Sequence, residues 1–311
     1  MRAFIFPGQG SQAVGMGKAL ADASAVAREV FQEVDDALGQ HLFRLMTEGP
    51  AEELMLTENS QAAIMANAIA TLRVLEKEGG IRLADKADYV AGHSLGEYTA
   101  LCAAGALDLP TTALLLKHRG LAMQAAVPVG EGAMAALLGA DLEKARIIAN
   151  AASEGEVCTV ANDNDPSQVV LSGAKSAIDR VVTIAKEFGA KKAVLLPVSA
   201  PFHCALMQPA ADAMEKALAE ARIDAPLVPV FANVTASPVG DPDTIRRLLV
   251  EQVTGMVRWR ESVLAMADTG VERFVEFGAK VLTAMVKRTA ADVETVSVVT
   301  MDDIEALAKS L

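Results

Sequence analysis

Gly92-His93-Ser94-Leu95-Gly96 lies between the apolar run Tyr89-Val90-Ala91 and a helix-forming stretch, Glu97 to Ala106. A strand, a Gly-x-Ser-x-Gly turn and a helix in that order leave the chain few ways to fold. The glycines permit a tight, strained turn that lifts the serine hydroxyl into the open and lets another backbone come close. A serine raised there, beside the N–H groups at a helix start, is placed for acyl transfer. The plain alternative is a Gly-rich strand-to-helix turn that happens to carry a serine.

The rest of the pattern alternates short apolar strands with helices. Ala3 to Phe6 reads as a first strand ending in a Gly/Gln loop, Pro7 to Gln12, and helical periodicity fills Ala23 to Leu38, Gln61 to Glu78 and Thr111 to Ala126. The rhythm changes at Pro128-Val129-Gly130. Strand Gly132 to Leu138 is followed by helix Leu142 to Ala152. Strands Val157 to Ala161 and Gln168 to Leu171 are expected to meet at a turn, Asn162-Asp163-Asn164-Asp165-Pro166. Helix Ser176 to Phe188 and strand Lys192 to Leu196 complete the order βαββαβ, that of a ferredoxin-like unit. The expected organisation is therefore a small subdomain at 127–197 inserted into a large α/β subdomain, 1–126 and 198–311. Later strands at Val228 to Phe231, Arg273 to Glu276 and Val296 to Val299, separated by helices, imply a mostly parallel, buried sheet.

The 311 residues are ample for one large core, and no apolar run approaches the roughly 18 residues that would span a bilayer. The net charge of −12 argues against nucleic acid as a partner, since a polyanion repels an acidic surface. An acidic protein partner would need a local basic patch, for which Lys191-Lys192, Arg246-Arg247, Lys280 and Lys287-Arg288 are candidates. Cys102, Cys158 and Cys204 are far apart with no metal-ligand spacing, which reads as reduced thiols in a cytoplasm and no metal. The compact ends favour a free-standing protein.

Serine is a weak nucleophile without a base. Of the four histidines, His41 and His118 sit among polar residues and read as surface. His93 shares the sharp turn with Ser94 and reads as structural. His203, after Pro201-Phe202 at a loop-to-helix junction, is the candidate base. Arg119 has Leu115, Leu116, Ala122 and Met123 three and four residues away on its helix, so its guanidinium leaves the core-facing stripe. A buried arginine needs an anion. That anion is either an internal Asp or Glu or a substrate carboxylate gripped bidentately.

Several stretches, in this order and spacing, resemble the malonyl-CoA:acyl-carrier-protein transacylases over nearly the whole length. They are Phe6-Pro7-Gly8-Gln9-Gly10-Ser11-Gln12, Gly92 to Tyr98, Arg119-Gly120 with Met123-Gln124, Gly132-Ala133-Met134-Ala135-Ala136 and Asn162. Gln168-Val169-Val170, Leu196-Pro197-Val198-Ser199, His203-Cys204-Ala205-Leu206-Met207 and Trp259 continue the series. The resemblance implies an α/β-hydrolase-like core with a ferredoxin-like subdomain. It implies transfer of a malonyl group from malonyl-CoA to holo acyl carrier protein through a malonyl-serine, in fatty acid synthesis, without a cofactor of its own; a cytoplasmic monomer is expected. It implies Ser94 as nucleophile, His203 as base and then acid, Arg119 on the malonyl carboxylate, and the N–H groups of Gln9 and Leu95 as oxyanion hole. Leu95 is also the residue that elbow geometry picks out, being next after the nucleophile. The carbonyl of Gln252 would orient the histidine and Asn162 would line the cleft. With a neutral orienter, water is expected to be activated less, so Gln252→Glu is expected to raise hydrolysis. Phe202 matches the malonyl-selective pattern. Glu276-Phe277-Gly278-Ala279-Lys280 and Gly255-Met256-Val257-Arg258-Trp259 depart from the family in loop details only.

A serine thioesterase or esterase is the nearest rival. It would want an acid between serine and histidine, yet Asp108, Asp141, Asp163, Asp165 and Asp179 end no obvious core strand, and Arg119 would be unexplained. An idle scaffold that binds carrier protein would not need to keep Ser94, His203 and Arg119 together.

Overall fold

The computed structural model describes residues 1–311. Its strands are β1 (Arg2–Phe6), β2 (Tyr89–Gly92), β3 (Gly132–Leu138), β4 (Cys158–Asp165), β5 (Gln168–Ala174), β6 (Lys192–Leu195), β7 (Val230–Ala232), β8 (Ser237–Val239), β9 (Arg273–Phe277) and β10 (Glu294–Val298). Six form one sheet in the order β10-β9-β1-β2-β7-β8, parallel except for the edge pair β7-β8. Alternation along β1 explains why it is buried on both faces. Phe4 and Phe6 join one apolar layer while Ala3 and Ile5 join the other, against Phe231, Trp259 and Phe274.

The other four strands form an antiparallel sheet in the order β4-β5-β3-β6. With helices Leu142–Ser153 and Lys175–Ile184 between its strands, this is the ferredoxin-like arrangement. Its two faces also divide by period two. Ala135, Leu137, Val169 and Leu171 pack under those helices, whereas Met134, Ala136 and Val170 join the core of the large sheet.

Three local expectations are corrected. Asn162 to Asp165 is not a turn: β4 runs through it, with register shifts at Val160/Asn162 and Asp163/Asp165, and only Pro166-Ser167 separates it from β5. Asn and Asp favour turns because they bond their own backbone, but here tertiary partners take their side chains. Asp163 pairs with Arg260 at 2.9 Å, Asp165 with Arg288 at 2.8 Å, and Asn164 Oδ1 meets His93 Nε2 at 2.7 Å. The Val257 backbone adds a parallel bridge to Asn162. Second, the expected helix Ala23 to Leu38 is two helices, Lys18–Ala23 and Ala25–Leu38, because Ser24 breaks the run and caps the second by accepting from Ala27 N–H. Third, helices Pro242–Thr254 and Trp259–Asp268 lie in a stretch for which periodicity gave no element; the first is announced by Asp241 as N-cap and Pro242 at its start.

The Asp163–Arg260 pair joins β4 to helix Trp259–Asp268, which packs on the large sheet, and its aspartate is fully buried. Arg260→Ala is expected to cost about 3 kcal/mol in urea unfolding at pH 7, the low end for a buried pair because the arginine is a quarter exposed. Burial raises the Asp163 carboxyl even with Arg260 present. Without Arg260 it protonates more readily still, so the loss is expected to shrink as the pH falls to 5.

Candidate active site

The elbow forms where β2 turns into helix Leu95–Ala103, with Ser94 at φ 53° and ψ −112°. A non-glycine residue with positive φ stores strain. The chain can turn this tightly because a Cβ on Gly92 would stand 1.8 Å from Gly96 O, and one on Gly96 would stand 2.3 Å from Phe6 O. Asn233, just after β7, fastens the turn. Its Oδ1 accepts from Ser94 N–H at 2.8 Å and its Nδ2 donates to Gly92 O at 2.7 Å. The Ser94 N–H is thereby occupied. The Leu95 N–H, first in its helix, has no intrahelical partner, and Gln9 lies in the neighbouring loop that His93 N–H holds through Phe6 O.

His203, also at positive φ (55°), brings Nε2 to 2.7 Å from Ser94 Oγ. Its Nδ1 faces two carbonyls, Gln252 O at 2.8 Å and Gly255 O at 3.1 Å. Carbonyls only accept, so Nδ1 carries the proton and Nε2 is left to accept from the serine hydroxyl. Burial, and then the charge of Arg119, push the imidazole down to about 3, so it is neutral at ordinary pH.

Arg119 is 1 % exposed and lies beside Ser94. Helix Leu109–Ala126 reaches this close to helix Thr57–Lys77 because residue 120 is glycine: a Cβ there would meet Thr57 O at 2.5 Å. The guanidinium donates to Gln61 Oε1 (2.8 Å), Gln252 Oε1 (2.9 Å) and Ser94 Oγ (3.1 Å), leaves Nε unpartnered, and lies 5.7 Å from the Tyr98 ring centre. No carboxylate bonds it. Of the two anions the sequence left open, the internal Asp or Glu is absent from its hydrogen bonds.

The Gln252 carbonyl faces the histidine, and what is corrected is the expectation for Gln252→Glu, which depends on the side chain. That side chain points away from His203, receiving Arg119 on Oε1 and donating through Nε2 to Ser94 O, Glu97 Oε2 and Asn233 Oδ1 at 2.8–3.1 Å. A glutamate there would pair with Arg119 rather than stand behind the histidine. Glu97, Asn233 and Gln61 were not singled out from the sequence. Nothing local marks them except that Glu97 directly follows the elbow.

Gln9, Gln61, His93, Ser94, Arg119, Asn162 and His203 all border one cavity of about 210 Å³, closed by Met134, Leu196, Val198 and Phe202. Ser199 Oγ donates to Gln124 Oε1 near its rim. Leu95 and Gln252 are buried and do not line it. His93, read as structural, is bonded to Asn164 yet borders the cavity, whereas His41 and His118 are exposed. Cys204 is buried with Sγ donating to Pro201 O, and all three cysteines are free. No group of three or more His, Cys, Asp or Glu side chains is placed to hold a metal ion. Among the basic candidates, Arg247 pairs with Glu251, Arg288 with Asp165, Lys287 bonds Val293 O and Arg246 bonds Ala221 O. Lys280 borders an open groove that shares Gly10 and Gln12 with the cavity.

No helix is long and apolar enough to cross a membrane. The family model for the acyl transferase domain matches residues 3–302. The malonyl CoA-acyl carrier protein transacylase of Escherichia coli K12 is 44% identical over 310 residues, 99% of this chain and 98% of that protein. The crystal structure of an acyl-carrier-protein-S-malonyltransferase from Bartonella henselae superposes with a TM-score of 0.97 at 51% identity, covering 99% of this chain and 98% of that one. A malonyl-transacylase solved in complex with its type II PKS acyl-carrier protein superposes at 0.96 with 38% identity, covering 100% and 99%. With a strained Gly-x-Ser-x-Gly turn, a buried histidine and a buried arginine around one cavity, and these likenesses along its length, the chain belongs to the acyl transferase domain family.

Proposed function

We propose that this chain transfers the malonyl group of malonyl-CoA to the phosphopantetheine thiol of acyl carrier protein, through a malonyl ester on Ser94. The observation that carries the reading is a buried Arg119 with no carboxylate bonded to it, in hydrogen-bond contact with a serine that is itself 2.7 Å from a neutral histidine. A site that needed only to attack neutral esters would gain nothing from a buried guanidinium left without a direct ion pair. The relatives named for malonyl transfer to carrier protein support the same substrate and acceptor.

His203 Nε2 takes the Ser94 proton as Oγ attacks the thioester carbonyl, while Arg119 Nη2, already 3.1 Å from Oγ, favours the developing alkoxide. The N–H groups of Leu95 and Gln9 receive the oxyanion, worth a few kcal/mol per donor. The tetrahedral intermediate collapses, the C–S bond breaks, and His203 returns the proton to the coenzyme A thiolate. Arg119 then holds the malonyl carboxylate, with Asn162 in the cleft wall. The carrier's thiol attacks the ester in the same geometry, its proton passing through His203 to Ser94 Oγ. Neither half-reaction calls for a resident cofactor, because the phosphopantetheine comes with the partner. Three buried, unpaired thiols fit work in the cytoplasm; the monomer and the service to fatty acid synthesis belong to the same proposal.

Intact mass tests the reading directly. The wild type mixed with malonyl-CoA is expected to gain one malonyl group that holo acyl carrier protein removes, and Ser94→Ala to gain none; rapid release of malonate to water would favour the esterase instead. Arg119→Ala is expected to lower malonyl kcat/KM by roughly 30- to 1000-fold, as for truncating a buried charge partner, with much less effect on acetyl transfer. Equal loss for both would make the arginine structural. The pH profile of acetyl transfer follows from the sign of the His203 shift. The neutral imidazole is the active form and its pKa is pushed down to about 3, so the acylation rate is expected to stay flat from pH 8 to 5. An acid limb centred near 6.5 would mean that the histidine is not held neutral by its surroundings.

A further inference from the structure

Glu97 is a carboxylate in a place that disfavours its charge. It is 2 % exposed, and its Oε2 accepts from Gln252 Nε2 at 2.8 Å and from Asn233 N–H at 3.1 Å. Gln252 Oε1 accepts from Arg119 at 2.9 Å, so carboxylate and guanidinium lie on opposite sides of one amide instead of forming a direct pair. The elements packed around Glu97 supply no other charge. Helix Thr57–Lys77 offers Gln61, helix Pro242–Thr254 offers Gln252, and Asn233 follows β7. β1 and β2 offer Phe6 and Gly92. Burial holds Tyr98 protonated, and burial keeps both His93 and His203 neutral. Arg119, from helix Leu109–Ala126, is the one ion that acts on it.

A substrate carboxylate on Arg119 would put two anions on a single buried cation. In a low-dielectric interior the second anion weakens the hold on the first. We propose that Glu97 takes up a proton when a substrate carboxylate settles on Arg119, so that the site exchanges its internal counter-charge for the substrate's. This rests on the reading of Arg119 as the carboxylate anchor. Glu97 touches neither substrate nor Ser94 Oγ and acts through Gln252 and Arg119, as a positioning residue. The proton comes from solvent and is released when the malonyl group leaves on the carrier. It is separate from the Ser94 proton, which goes through His203 to the departing thiolate.

Burial lifts the free-enzyme Glu97 carboxyl to about 7, against the lowering effect of Asn233, Gln252 and Arg119. That places the exchange where it can be measured. Binding favours protonated Glu97, so the grip on malonyl is strongest below about pH 7 and weakens as the pH rises through it. A neutral acyl group carries no such dependence.

The test counts protons. Enzyme is mixed with malonyl-CoA or with acetyl-CoA at pH 7.5 in weak buffer with an indicator dye, and uptake is normalised to acyl-enzyme formed. Malonylation is expected to take up more protons than acetylation. The ratio of KM for malonyl-CoA to KM for acetyl-CoA is expected to rise on the order of threefold to tenfold from pH 6 to 8.5, the span over which a single carboxyl near 7 titrates. Glu97→Gln, which keeps an acceptor for Gln252 and Asn233, is expected to abolish both differences. Equal proton counts in the wild type, a measurement that needs no variant, would overturn the proposal, as would their difference surviving in Glu97→Gln. Arg119→Ala separates the two readings: if it keeps its malonyl preference, the anchor itself is wrong and this inference goes with it. If that preference is lost while wild-type proton counts are equal, only the role of Glu97 is wrong.

Discussion

Everything at this site is arranged around a guanidinium that has been taken out of water without a directly bonded carboxylate. Gln61, Gln252 and the face of Tyr98 give Arg119 acceptors and a polarisable surface, so its geometry is fixed. They do not cancel its charge. The consequence is a positive potential facing a small, largely apolar cavity, and it reaches each neighbour in turn. It helps to keep His203 neutral, it leans on Ser94 Oγ, and it leaves an opening that an acidic acyl group is suited to fill.

Gln252 shows how that potential is kept compatible with the serine catalysis proposed for Ser94. In a Ser-His-Asp triad the third residue is a carboxylate that stabilises the imidazolium. Here the histidine is oriented by main-chain carbonyls at 252 and 255, which leaves the Gln252 side chain free to hold Arg119. A carboxylate in contact with His203 would also lie close to Arg119 and draw its charge away from substrate. Main-chain carbonyls orient the ring just as firmly, without offering the guanidinium a full counter-ion.

The parts of this that could be read from the sequence are those whose cause is local. The elbow is encoded in five consecutive residues, the strands in their period-two or fully apolar runs, and the burial of Arg119 in the residues one helical turn to either side. His203 was singled out by its place at a loop-to-helix junction, with no pattern of its own. Gln252, Asn233 and Gln61 become partners of Ser94 and Arg119 only through packing of helices and strands far apart in the chain, and no spacing announces that; only the family resemblance points to Gln252, and to its carbonyl rather than its side chain. The misreading of Asn162 to Asp165 has the same origin. Local preference for a turn is worth little beside two arginines, Arg260 and Arg288, that arrive from helices about a hundred residues later.

Those two ion pairs also bear on how the cavity works. Asn162 and Met134 line it from the small sheet, while Ser94, Arg119 and His203 line it from the turn after β2, helix Leu109–Ala126 and a loop that pack with the large one. A wall assembled from two sheets would breathe if only apolar contact joined them. β4 is instead fastened by Asp163, Asn164 and Asp165 and by the backbone bridge to Val257. A charge as poorly screened as that of Arg119 discriminates between acyl groups only while water is kept from solvating it. Rigidity of the β4 wall and selectivity for an acidic substrate are thus one requirement seen from two sides.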